Sequence, residues 1–226
     1  MAILVSFDGI DGCGKTTTIQ HFKSKLENLD LRDKGINRLL RVANTKLIGT
    51  TDESIAFRKL VLDGKLSKHE EALGFLYHAT SFYRQWIKEH QGNYDFILID
   101  RSRASFYAYQ IFGRGFQEYM PMYPSICGED DATMEMNYFY IKGNKAKHKE
   151  MIIKERNELD FFESMDSSFH ARVYNGFEDY MARQKSVISI SSEQIEQDYG
   201  PGIDIFLKHA YDAFYNRFVA NFKLPE

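Results

Sequence analysis

The apolar run Ala2-Ile-Leu-Val-Ser-Phe7 leads into Gly9-Ile-Asp-Gly-Cys-Gly14-Lys15-Thr16, and this stretch constrains the chain most tightly. Residues that favour strands enter a glycine loop, and Thr16-Thr-Thr-Ile-Gln-His-Phe22 continues as a helix. Strand, loop and helix with G-x-x-x-x-G-K-T in the middle make a phosphate-binding P-loop. The glycines let backbone N–H groups turn inward onto phosphate oxygens, with no Cβ in the way. The new helix points its positive end at the same anion. Lys15 can reach the β- and γ-phosphates of ATP, and the Thr16 hydroxyl suits Mg²⁺. Gly9, Asp11, Gly12, Cys13, Gly14, Lys15, Thr16 and Thr17 are therefore the candidate ATP-binding residues.

The remaining constraints concern size and compartment. A chain of 226 residues fits one domain, 1–226, with a small lid. Hydrophobic residues are 43%, enough for a full core. A net charge of −3 argues against a protein that coats nucleic acid. Cys13 and Cys127 lie far apart and read as reduced thiols. No apolar run approaches the roughly 18 residues of a membrane span. The N-terminus carries no basic signal region, so a cytoplasmic protein is expected.

Further strands are predicted over 39–43, 94–100, 136–141 and 187–190. Asp52 or Ser54 is predicted to cap a short helix ending at Asp63-Gly64. Ser67 followed by Glu70 forms a capping-box pattern that opens a helix to about His90. Helices are also predicted from about Ala104, over 160–183 and over 202–222, with a long irregular connection at 112–133. Strands that alternate with helices imply an α/β architecture of the P-loop NTPase type. Five parallel strands would be covered by helices on both faces.

A family can now be named. Phe7-Asp-Gly-Ile-Asp-Gly-Cys-Gly-Lys-Thr-Thr17 resembles the P-loop of thymidylate kinases, which phosphorylate dTMP with ATP. Asp100-Arg101 followed by Ala108-Tyr-Gln110 is similar to the D-R … A-Y-Q segment of that family. Phe57-Arg58-Lys-Leu-Val-Leu62, Glu71-Ala-Leu-Gly-Phe75, Asn157-Glu-Leu-Asp-Phe-Phe-Glu163 and Arg172-Val-Tyr-Asn-Gly176 resemble further segments in the same order.

The resemblance implies roles residue by residue. Lys15 and the loop amides would hold the donor phosphates, with Thr16 and Asp100 as the metal-side oxygens. Arg101 would clamp the acceptor phosphate through its planar guanidinium. Asp11 would meet the acceptor 3′-hydroxyl, and Phe75 would stack on the base. Arg58, Tyr109 and Gln110 would line the same pocket. Gly12 stands where some family members carry an arginine, so the catalytic cations are expected from a lid at about 142–160. There Arg156 and then Lys154 are the candidates. Small-molecule nucleotides are the implied partners, and a homodimer is usual for the family.

Four departures accompany the likeness. The family's R-E-P-G-G-T reads Lys46-Leu-Ile-Gly-Thr-Thr51, so its phosphate-contacting arginine is at best Lys46. Ala79 replaces an arginine that reads the base, Phe161 replaces the lid arginine of D-R-F-E, and Ser102 follows Asp100-Arg101 in place of tyrosine. Helical spacing puts Phe75, His78, Ala79, Phe82 and Tyr83 on one face, which is expected to border the acceptor pocket. Asp100-Arg101-Ser102 also fits the acid-Arg-Ser motif of deoxynucleoside kinases, which would need Asp8 as a general base toward a 5′-hydroxyl. A nucleotide-binding regulator without turnover is the third reading.

Overall fold

β1 (Ile3–Asp8) is buried at every position from Leu4 to Asp8, which places it at the centre of a covered sheet. The computed structural model describes residues 1–126, 135–143, 159–200 and 202–223. β1 pairs in parallel with β3 (Phe96–Asp100) on one side and β4 (Asn137–Lys142) on the other. β2 (Val42–Lys46) and β5 (Val187–Ser191) are the outer strands, giving the parallel order β2-β3-β1-β4-β5. This is the expected five-stranded parallel α/β sheet.

The helices are α1 (Lys15–Glu27), α2 (Asp52–Leu62), α3 (Lys68–Ser81), α4 (Arg103–Phe106), α5 (Ser167–Ala182), α6 (Ser192–Tyr199) and α7 (Ile203–Phe214). α3 runs on through a π turn, Phe82–Trp86, to Ile87–His90, and α4 through a π segment, Tyr107–Gly113. Strand alternation sends side chains to two faces. Phe7 and its β4 neighbour Phe139 meet Phe22 of α1 at 5.5 and 5.4 Å between ring centroids, with Phe214 of α7 at 4.8 Å from Phe22. On the other face Tyr138 and Tyr140 meet Tyr180 and Phe177 of α5 at 5.6 and 5.8 Å. Each face thus carries its own aromatic layer, as a doubly covered sheet requires.

Several element boundaries differ from expectation. The second strand lies at Val42–Lys46 and not at 39–43; Leu39 is 66% exposed. β2 is an outer strand, so its polar Asn44 and Lys46 face water, and a polar run there looked like a loop. Its register sets Lys46 opposite Asp100. Thr51, not Asp52 or Ser54, caps α2, accepting from the Ser54 N–H at 3.3 Å. The Ser67–Glu70 capping box is present as read. The helix predicted from Asp160 starts at Ser167, because Asp160 caps a separate turn and Asp166 caps α5 through the Phe169 N–H at 2.7 Å. α6 was not foreseen, and the connection at 112–133 contains a 3₁₀ segment, Gln117–Met122, and a helical turn, Tyr123–Ile126.

Asp95, just before β3, ties the starts of β2 and β3 together. It accepts from Arg38 at 2.6 and 2.7 Å and from the Arg41 backbone N–H at 2.7 Å. Burial alone would raise its pKa, but the bonds from Arg38 and Arg41 outweigh it and hold the carboxyl down at about 2. Asp95→Asn is expected to cost about 2 kcal/mol and roughly 4–8 °C of melting temperature. The native pKa is depressed, so this contribution is complete above pH ~4 and fades as pH falls toward 2. Wild-type and variant melts followed over that range check both statements.

Candidate active site

Where β1 ends, the chain turns through Gly9 to Gly14 and enters α1 at Lys15. Gly9 sits at φ +148, and a Cβ there would stand 2.4 Å from the Ile141 carbonyl oxygen of β4. Only glycine allows the loop to pass so close to the neighbouring strand. Lys15 is the first residue of α1 and is buried, with its Nζ donating to the carbonyls of Gly9 and Ile10 at 3.2 and 2.7 Å and to Cys13 Sγ at 3.6 Å. The ammonium is thereby held inside the curl of the loop. Thr16 and Thr17 follow on the exposed first turn of α1. Asp11, Gly12, Cys13 and Gly14 line a cleft closed on its far side by Gly143, Ile195 and Phe206. The last two come from α6 and α7, and sequence reasoning had passed over both.

A second cavity opens beside this cleft, bordered by Asp11, Lys46, Arg58, Phe75, Asp100, Arg101, Tyr109 and Gln110. Asp11 is common to both spaces. Arg101 takes a left-handed backbone conformation, φ 69, alone among the described non-glycine residues. Strain of this kind is retained where the surroundings fix it; here the Arg101 N–H donates to the Phe7 carbonyl at 3.1 Å. The Arg101 guanidinium donates to Asp11 and to Gly9 O and lies 5.0 Å above the Tyr109 ring, whose hydroxyl donates to Asp11 at 2.5 Å. Burial works against the charge of Arg101, but Asp11, Tyr109 and Asp100 together outweigh it and the guanidinium pKa rises further. Burial, and then Asp11, likewise push the Tyr109 hydroxyl well up. Asp11 is therefore held by Arg101 and Tyr109, beyond the local turn its position alone would explain.

Asp100 ends β3, with Lys46 of β2 at 3.7 Å. Ser102, not Asp100, caps α4, which leaves the Asp100 carboxylate facing the cavity with Lys46. The Thr16 hydroxyl and the Asp100 carboxylate are each hard oxygen donors of the kind Mg²⁺ takes alongside phosphate oxygens. Among the described residues no cluster of three or more His, Cys, Asp or Glu forms a metal cage.

Arg58 borders the cavity from α2 and makes no hydrogen bond or ion pair among the described residues. Phe75 projects from α3 between Phe57 and Phe106, at 5.4 and 5.7 Å between centroids. Among the cavity residues that sequence reasoning missed are Asp160, whose carboxyl pKa is raised by burial and by Asp11, and Phe162. The quoted Leu-Asp-Phe-Phe-Glu run was the available signal.

Two expectations are corrected. The face Phe75, His78, Ala79, Phe82 and Tyr83 was expected to border the acceptor pocket. Only Phe75 does; Ala79 is 1% exposed and lies within the core with Phe82 and Tyr83, and His78 packs on Phe57 at 4.8 Å. One helical turn carries the chain about 5.4 Å along its axis, away from the cavity. Asp8 cannot serve as the base that a deoxynucleoside kinase would need. Its carboxylate is fully buried and accepts from Ser102 N–H at 3.0 Å, Ser102 Oγ at 2.7 Å and Ser105 Oγ at 2.8 Å. Lys154 and Arg156, with Lys145, Lys147, Lys149 and most of the proposed lid, lie outside the described residues, as does Cys127.

Comparisons with known proteins bear on the family and the fold. A family model described as thymidylate kinase matches residues 7–199. A protein of Nostoc punctiforme named thymidylate kinase is 28% identical over 207 residues, spanning 86% of this chain and 92% of its own length. One from a strain of Prochlorococcus marinus, named likewise, is 30% identical over 196 residues, spanning 84% and 88%. The crystal structure of a thymidylate kinase from Ehrlichia chaffeensis superposes with a TM-score of 0.64 at 19% identity, covering 94% of this chain and 98% of that one, and shows the shared fold. With the family model matched from the P-loop strand to the end of α6, the chain belongs to the thymidylate kinase family.

Proposed function

We propose that this protein transfers the γ-phosphoryl group of ATP to the phosphate of a deoxynucleoside monophosphate, dTMP first, giving dTDP and ADP. The observation that carries the reading is the sharing of Asp11 between the P-loop cleft and the cavity that holds Arg101. A donor phosphate on the loop and an acceptor phosphate on Arg101 then meet across one residue, as in-line transfer requires.

In this reading Lys15 leaves the Gly9 and Ile10 carbonyls and follows the transferring group, stabilising charge as it develops. Arg101 exchanges its bonds to Asp11 for a bidentate grip on the acceptor phosphate, supported by Lys46 and Arg58 at the same rim. The Asp11 carboxylate, which also accepts from the Tyr109 hydroxyl, accepts from the acceptor 3′-hydroxyl. Phe75 stacks on the base, and Gln110 and Tyr109 close the pocket around base and sugar. Thr16 and Asp100 would hold Mg²⁺, which when bound neutralises phosphate charge. Arg156 and Lys154 remain our candidates for lid cations.

Burial of Asp8 removes support from the nucleoside-kinase alternative. Incubation with ATP, Mg²⁺ and dTMP, with nucleotides separated by chromatography, is expected to yield dTDP and ADP in equal amounts. No dTDP under those conditions overturns the proposal. We also place the enzyme in the cytoplasm as a homodimer; Leu73 and Tyr77, exposed on the outer face of α3, support a partner surface that light scattering tests. No described helix is long and apolar enough to cross a membrane.

A further inference from the structure

Gln110 and Glu71 are both 2% exposed, one on the π segment after α4 and one on α3, and they meet behind the acceptor cavity. Gln110 Nε2 donates to Glu71 Oε1 at 3.4 Å. The other carboxylate oxygen of Glu71 accepts from Arg114 Nε at 3.2 Å, with a second guanidinium nitrogen at 3.0 Å. Arg114 is itself held by its position over the rings of Phe116 and Phe161, at 5.7 and 5.0 Å. Burial pushes the Glu71 carboxyl up, and the Arg114 guanidinium draws it back toward the ionised form, which only accepts hydrogen bonds. Next to Glu71 paired with Arg114, the side-chain amide of Gln110 must therefore turn its NH₂ group backward. Its carbonyl oxygen accepts no hydrogen bond among the described residues and is the end left for the cavity that Gln110 lines. Phe75 stands one turn after Glu71 on the same face of α3, so the helix that sets the amide also carries the ring proposed to stack on the base.

We infer that Glu71 is a positioning residue for base selection: with Arg114 it fixes the amide of Gln110 so that an oxygen acceptor, not an N–H donor, faces the pyrimidine edge. An oxygen there accepts the N3–H of thymine or uracil and opposes the bare N3 acceptor of cytosine. The inference rests on the proposed monophosphate kinase activity, and it supplies a selection device where Ala79 stands in place of arginine.

The test compares kcat/KM for dUMP and dCMP, which lack the 5-methyl group and differ only at the edge in question. Wild type is expected to prefer dUMP by about tenfold or more, the effect of a hydrogen bond to one base and an opposed acceptor in the other. Glu71→Gln, which can donate as well as accept and so permits the amide to turn, is expected to shrink that preference at least about fivefold while dUMP turnover persists. Gln110→Met leaves the Glu71–Arg114 pair intact and is expected to bring the ratio close to one, which keeps the test available should Glu71→Gln fold poorly. A merely structural role for Glu71 lowers both substrates together and leaves the ratio where it was; that result, or a wild-type ratio in Gln110→Met, overturns the inference alone. A wild type that phosphorylates neither these acceptors nor dTMP overturns the kinase activity and the inference with it.

Discussion

Lys15→Met is expected to lower kcat by at least a factor of about a hundred, because the ammonium supplies charge stabilisation worth several kcal/mol at the transferring phosphoryl group. The side chain is buried at the first turn of α1 and bonded to Gly9 O and Ile10 O, so the change is not structurally silent. Methionine fills the same space, and the loss of donors to two carbonyls should move the melting temperature by only a few degrees. Steady-state kinetics with dTMP beside a thermal melt separates the two effects. Activity above about a tenth of wild type would contradict the assigned role.

Arg101→Met should be nearly as damaging, but on the acceptor side. The guanidinium joins Asp11, Gly9 O and the Tyr109 ring in one cluster and is the cavity cation best placed to grip a phosphate with two nitrogens. Its removal is expected to cost about a hundred- to a thousandfold in kcat/KM for dTMP, the range for losing a positioned donor to a developing or bound anion. KM for ATP should change less, since Arg101 itself borders the acceptor cavity and not the donor cleft. A kcat/KM for dTMP within about fivefold of wild type, or a loss that falls on ATP instead, would remove Arg101 from the acceptor site.

The parts legible in the sequence are those whose physics is local. The P-loop and the Ser67–Glu70 capping box are short-range arrangements of backbone donors and glycines, and both stand where read. Asp100-Arg101 was legible because an apolar run ending in an acid reads as a buried parallel strand, with its tip at the ligand side. What failed depended on neighbours far away in the chain. β2 was displaced by three residues because its polar positions are tolerable only at the sheet border, which no local pattern announces. Ala79 was misassigned because helical spacing gives the face but not how far along it the cavity reaches. Asp8 looks available as a base in the sequence, but it is buried, and Ser102 and Ser105, nearly a hundred residues later, engage it in three hydrogen bonds. α6 carried a usable signal, Ser191 three residues before Gln194: the Ser191 hydroxyl caps the helix by accepting from the Gln194 N–H at 3.4 Å. The Glu71–Gln110–Arg114 cluster had no local signature, since its members come from two elements that meet only in the fold.

The assignment turns on whether the acceptor carries a phosphate already. A coupled assay of ADP release, run with ATP and Mg²⁺ and offering dTMP or thymidine at equal concentration, decides it directly. The cavity bordered by Arg101, Lys46 and Arg58, together with the burial of Asp8, predicts steady ADP release with dTMP and only background release with thymidine. Turnover of thymidine equal to or above that of dTMP, or ADP release indifferent to any acceptor, would contradict the monophosphate kinase assignment.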